Sequence, residues 1–204
     1  MKQLFGILVF FVAASCANNA QPLYDALEQT AQEHRLVGMS VVVVNKGEIA
    51  TQYHYGMADL GRQLPVTSQT HYRVASISKA VTAVALLHLY DQGKFMLDAD
   101  VNDYLRFSLR NPAFAQQKIT FRMLLSHTAG LRDGSAYSNF LSASYQAASP
   151  PKIGQLLVPG GTYYSADMWG QEVPGSYFQY ANINFGVIAT LVEALSGQRF
   201  DRYV

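Results

Sequence analysis

Residues 80–89, Ala-Val-Thr-Ala-Val-Ala-Leu-Leu-His-Leu, contain neither glycine nor proline and are apolar on nearly every helical face. Such a run cannot lie in water without exposing aliphatic side chains on all sides, so it predicts a helix buried in the body of the fold. Directly ahead of it stand Ser76, Ile77, Ser78 and Lys79. Residues three apart on a helix share a face, which brings the Lys79 ammonium within reach of the Ser76 hydroxyl. A serine hydroxyl is a poor nucleophile until a neighbouring base or cation helps to remove its proton, and Lys79 is placed to help. Backbone N–H groups at the helix N-terminus offer a place for a developing oxyanion. The pair also fits a plainer role, with Ser76 capping the helix and Lys79 reaching into water. Ser149-Pro150-Pro151-Lys152 has the same S-x-x-K spelling, but two prolines deny it a helical face.

Length and composition narrow the context. The chain has 204 residues, half of them apolar, enough for one ordinary core and too few for two large domains. Lys2 precedes an apolar run over residues 4–14, followed by Ser15, Cys16 and Ala17. This is the layout of a secretory signal, expected over residues 1–20, and it predicts export to the periplasm or cell envelope. Cys16 is the only cysteine and sits in Ala13-Ala14-Ser15-Cys16, which looks like a lipoprotein cleavage site, so a lipid on Cys16 is one route to membrane attachment. No internal disulfide can form, and packing must supply the stability. The net charge of +1 includes Lys2, and no basic block occurs anywhere, which removes the electrostatic footprint of nucleic-acid binding.

Taken in order, residues 22–36 keep helical spacing through Leu23, Leu27, Ala31 and Leu36. A β-branched run over 39–44, turn chemistry at Asn45-Lys46-Gly47-Glu48, and alternation over 49–55 predict a hairpin and hence an antiparallel sheet. Short helices are expected over 97–105 and 119–125, the second entered through Thr120 and closed before Gly130. Residues 132–179 lose periodicity and read as one long aromatic-rich loop. Pro174-Gly175 then leads through Tyr180-Ala181-Asn182 into a helix with Phe185, Ile188, Leu191, Val192 and Leu195 on its apolar stripe, capped by Asn182 and stopped by Gly197.

Three segments, Ser76-Ile77-Ser78-Lys79, Leu124-Leu125-Ser126-His127-Thr128-Ala129-Gly130-Leu131 and Pro174-Gly175 with Tyr180-Ala181-Asn182, occur in the order in which they occur in the serine β-lactamase-related hydrolases. The chain resembles the subgroup of class C β-lactamases, DD-peptidases and esterases of the same fold. The resemblance implies an α+β fold of the β-lactamase/transpeptidase type, with an antiparallel sheet, flanking helices and a helical subdomain. It implies that Ser76 is the nucleophile, Lys79 the assisting base or cation and Tyr180 the general acid/base. Asn182 is then the polar group that orients Lys79 or the substrate. His127 falls in a turn segment of that family and is expected to fix the loop, and His88 to be a buried core histidine. Tyr137-Ser138-Asn139 also spells Y-x-N but lies in the irregular stretch. With neither H-E-x-x-H nor a cysteine cluster, no metal and no cofactor is called for.

A third motif of the family, K-[ST]-G or H-x-G on a later strand, has no match after Asn182; His54-Tyr55-Gly56 has the spelling but precedes the nucleophile. Residues 21–204 are therefore expected to be part of a family domain lacking its C-terminal strands, poorly stable and weakly active or inactive alone. The expected substrates are a β-lactam, a D-Ala-D-Ala peptide or a small ester. The alternative is a non-catalytic remnant that binds cell-wall peptide or a protein partner.

Overall fold

The computed structural model describes residues 20–204, so the expected export segment, with Cys16, lies outside the described residues but for Ala20. The described residues divide into two compact units, one ending at Arg73 and the other Val74–Val204. No helix among the described residues is long and apolar enough to cross a membrane.

In the first unit, helix α1 (Gln21–Glu33) carries Pro22 in its first turn, where its missing N–H costs nothing. Strands β1 (Gly38–Asn45) and β2 (Glu48–Asp59) form the expected antiparallel hairpin, with Gly38 opposite Gly56 and Asn45 opposite Glu48. Only glycine fits at position 56: φ is +72°, and a Cβ there would meet the Val37 carbonyl oxygen at 2.1 Å. A two-residue strand β3 (Leu64–Pro65), not anticipated from the sequence, pairs with β2 and gives the order β1-β2-β3. Tyr24 of α1 stacks on Tyr53 of β2 at 5.7 Å and hydrogen-bonds the Thr51 hydroxyl. Val42, Val44 and Ile49 are exposed.

The second unit is helical. A 3-10 turn at Ala75–Ile77 runs straight into α2 (Ser78–Asp91), followed by α3 (Phe121–Leu125), α4 (Tyr137–Gln146), α5 (Gly154–Leu157), α6 (Ile183–Ser196) and α7 (Phe200–Tyr203). Helices α2 and α3 both pack on α6. The core is Leu86, Leu89, Phe121, Leu124, Leu131, Leu156, Met168, Val187, Ile188 and Leu191, with Phe95 stacked on Phe121 at 4.0 Å. Each such side chain contributes about 1.5–3 kcal/mol on burial. Thr120 caps α3 as expected, accepting from the Met123 N–H at 3.2 Å, and Gly130 and Gly197 take positive φ.

Four expectations are corrected. Helix α2 is not buried all round: Thr82, Ala85, Leu86 and Leu89 are buried, whereas Val81 and Val84 are exposed. Their spacing gives one buried stripe, and a single packed neighbour covers one stripe only. His88 lies on the wetted side, its ring edge-on to Tyr203 at 6.4 Å, and is not a core residue. The helix expected over 97–105 is a single 3-10 turn, Val101–Asp103, capped by Asp100. Residues 132–179 are not one loop, since they contain α4 and α5. Phe140 anchors α4, and its burial outweighs the low helix propensity of Tyr, Ser and Asn around it.

Candidate functional site

The 3-10 turn places Ser76 immediately ahead of α2, and Lys79 is the second residue of the helix. Residue 75 sits in the left-handed region, with φ +45° at an alanine, a conformation that costs about 1–2 kcal/mol for an L-residue and sharpens the turn that presents the next side chain. Ser76 is exposed and Lys79 half-exposed. What holds the ammonium is hydrogen bonding: Lys79 Nζ donates to Ser76 Oγ at 3.1 Å and to Asn182 Oδ1 at 2.7 Å. It also lies 5.0 Å from the centre of the Tyr180 ring.

Tyr180 and Asn182 arrive from the other side of the sequence, at the start of α6. The Tyr180 hydroxyl donates to Ser76 Oγ at 2.8 Å. All four residues picked from the sequence thus meet, although Ser76 and Tyr180 lie 104 positions apart. Hydrogen bonding with Lys79, and secondarily with Ser76, holds the Tyr180 phenol below its ordinary value despite some desolvation. The competing Y-x-N tyrosine behaves oppositely. Tyr137 begins α4 rather than lying in irregular chain, and burial pushes its phenol up to about 12, which keeps it protonated.

Two residues outside the motif set complete the arrangement. Asn182 does not cap α6 with its own side chain. Asp133 does so from the loop after α3: Oδ2 accepts from Asn182 N at 2.9 Å and from Asn182 Nδ2 at 2.7 Å, and Oδ1 accepts from Ile183 N at 3.0 Å. Both ends of the Asn182 amide are therefore engaged. Of the two roles expected of Asn182, orienting Lys79 is the one these bonds match. Sequence reasoning passed over Asp133 because Asp before Gly134 reads as ordinary turn chemistry.

His127 has the loop-fixing place expected of it, with φ +55°. Its Nδ1 accepts from Ala181 N at 3.3 Å and lies 3.2 Å from Asn184 Nδ2, which assigns the proton to Nε2. The ring stacks on Tyr180 at 4.5 Å. Burial, helped by the Lys79 charge, holds the imidazole below its ordinary value and hence neutral at pH 7. It is a platform for the phenol rather than a base acting on Ser76.

The second unit also holds a cleft of about 950 Å³ lined by Tyr104, Phe107, Phe140, Ile153, Gly186 and Thr190, to which none of the four site residues contributes. Trp169 of the aromatic stretch is buried and Tyr163 and Tyr164 pack on the core, while Tyr177 and Phe178 are exposed. Among the described residues, no three His, Cys, Asp or Glu side chains group as a metal site.

Comparison with known proteins gives one consistent picture. The family model described as "Beta-lactamase" matches residues 23–204. Penicillin-binding protein 4* of Bacillus subtilis is 25% identical over 189 residues, covering 92% of this chain and 39% of that protein. Among solved structures, the octameric penicillin-binding protein homologue from Pyrococcus abyssi superposes with a TM-score of 0.69 at 24% identity, covering 90% of this chain and 41% of that one. A class C β-lactamase gives 0.66 at 24% identity, covering 89% and 45%. The fold is thus the α+β one of β-lactamases and transpeptidases, and the chain spans less than half the length of each of these relatives.

Proposed function

This chain belongs to the β-lactamase family, and from that premise we propose that it is a serine hydrolase that forms an acyl-enzyme at Ser76 on an amide or ester. The observation that carries the reading is the convergence of two donors, Tyr180 at 2.8 Å and Lys79 at 3.1 Å, on the Ser76 oxygen. With both partners protonated the oxygen only accepts, so one of them must give up its proton before it can take the serine's. We take the phenol as that partner, because the Lys79 ammonium beside it favours the phenolate and Tyr180 is held below its ordinary value.

In that mechanism Ser76 Oγ bonds to the acyl carbon and its proton passes to the Tyr180 phenolate. The phenol then delivers that proton to the leaving nitrogen or oxygen as the old bond breaks. Water attacks the acyl carbon in the second half and loses a proton to the Tyr180 phenolate, and the phenol hands that proton to Ser76 Oγ as the bond between the acyl carbon and Oγ breaks. No cofactor enters any step.

The substrate class is a β-lactam, a D-Ala-D-Ala peptide or a small ester, and turnover by these 204 residues alone is slow. The export signal read in the sequence supports a periplasmic or cell-envelope location, with a lipid on Cys16 as anchor; fractionation of Cys16→Ser tests the anchor, which falls if partitioning is unchanged. For the chemistry, the purified chain is incubated with a fluorescent penicillin and a fluorophosphonate. Slow covalent labelling that disappears in Ser76→Ala is expected. A chain that both probes leave unlabelled over many hours overturns the hydrolase reading in favour of a binding remnant.

A further inference from the structure

We propose that Asp133 is a positioning residue of this site: its carboxylate fixes the Asn182 amide so that Oδ1 faces the Lys79 ammonium, and through Asn182 it keeps Lys79 on Ser76. The consequence for rate rests on the reading of Ser76 as nucleophile; the orientation of the amide does not.

The argument is one of donor and acceptor inventory. A carboxylate only accepts and an ammonium only donates, while a primary amide has one end of each kind. Asn182 stands between Asp133 at 2.7 Å and Lys79 at 2.7 Å. One orientation of its amide satisfies both neighbours. The flipped one sets NH₂ against NH₃⁺ and oxygen against carboxylate, two repulsive contacts in place of two charge-assisted bonds. The same carboxylate takes the first N–H groups of the fourteen-residue helix α6, so helix start and amide orientation are set by one group.

Asp133 is itself held on both flanks. Arg132 N donates to the Met168 carbonyl at 2.8 Å, Gly134 N to Met168 Sδ at 3.3 Å and Ser135 N to Asp167 Oδ2 at 2.8 Å. Leu131 bridges to Trp169. The 166–169 segment is thus the frame from which Asp133 reaches α6.

The test is a double-mutant cycle read by labelling rate at Ser76, with melting temperature followed in parallel. Asp133→Asn keeps the side-chain volume but offers one acceptor oxygen to three donors, and Asp133→Ser keeps an acceptor for the helix N–H groups that is too short for Asn182 Nδ2. Each is expected to slow labelling about tenfold in the parent, the size of coupling found between groups in contact, and to have little effect in the Asn182→Ala background. An equal loss in both backgrounds means that Asp133 acts only as a helix cap and overturns the proposal. In chain labelled with ¹⁵N at asparagine, the Asn182 side-chain NH₂ signals, identified by their loss in Asn182→Ala, are expected to shift in both Asp133 variants; unshifted signals also overturn it. If the parent is never labelled, the hydrolase reading fails, and the NH₂ signals alone decide for or against Asp133.

Discussion

Lys79 Nζ lies closer to Asn182 Oδ1, at 2.7 Å, than to the hydroxyl of Ser76, at 3.1 Å. The amine is therefore anchored across the α2–α6 packing and not merely by its place one turn from the serine. Replacing Asn182 by Leu removes that anchor at similar volume. Labelling at Ser76 is expected to fall about 10²-fold, the scale of loss from misplacing a reacting group, with the protein still folded by circular dichroism. A labelling rate within a factor of two of the parent would show that the S-x-x-K spacing alone positions the amine.

The shift of Tyr180 gives a pH signature. A phenol held below its ordinary value near 10 becomes a phenolate, and so a base, once pH rises through that lowered value. The labelling rate is expected to climb with pH to a plateau whose midpoint lies below 10. Tyr180→Phe should lose that rise and about 10²–10⁴ in rate, the usual worth of a positioned acid/base. A rise that survives in the Phe variant would assign it to another group.

His127 predicts how stability responds to acid. Its folded-state value lies below the unfolded one near 6.5, so the unfolded chain binds the proton more readily. Stability is then fully present above about pH 6.5 and is lost as pH falls toward the folded-state value. The neighbouring charges are Lys79, which lowers the value, and Asp133, which raises it. Melting temperature should drop between pH 7 and 5 more steeply in the parent than in His127→Gln. Parallel curves would remove His127 as the source.

Gly134 is the tight point of the Asp133 loop. A Cβ there would stand 2.8 Å from both the Asp167 carbonyl carbon and the Met168 nitrogen, which are backbone atoms that cannot swing aside. Gly134→Ala is expected to cost about 1–3 kcal/mol by chemical denaturation, as overpacking does, and to slow labelling by moving Asp133. Unchanged stability would mean that the 166–169 segment yields easily.

What the sequence made legible follows the reach of local spacing. Ser76 with Lys79, and Tyr180 with Asn182, are pairs three and two residues apart and each could be read locally, whereas the meeting of the two pairs was implied only by the family resemblance. The hairpin was equally readable from its β-branched runs and its Asn-Lys-Gly turn. Asp133 was not, since its partner Asn182 is 49 positions away and nothing local distinguishes it from a turn aspartate. Helix α4 was hidden because Tyr-Ser-Asn-rich sequence has little intrinsic helicity, and it forms through the burial of Phe140. The one-sided burial of α2 was missed because apolar composition does not say how many neighbours arrive.

Water wets Val42, Val44 and Ile49 on the hairpin, and Ile77, Val81 and Val84 along α2 and the turn ahead of it. Molecules carrying such patches stick to one another when they open, and do so faster the more of them there are. The working lifetime of this polypeptide in a tube will accordingly be a half-life that shortens with dilution undone, so that kinetic assays of Ser76 belong at low micromolar concentration and moderate temperature.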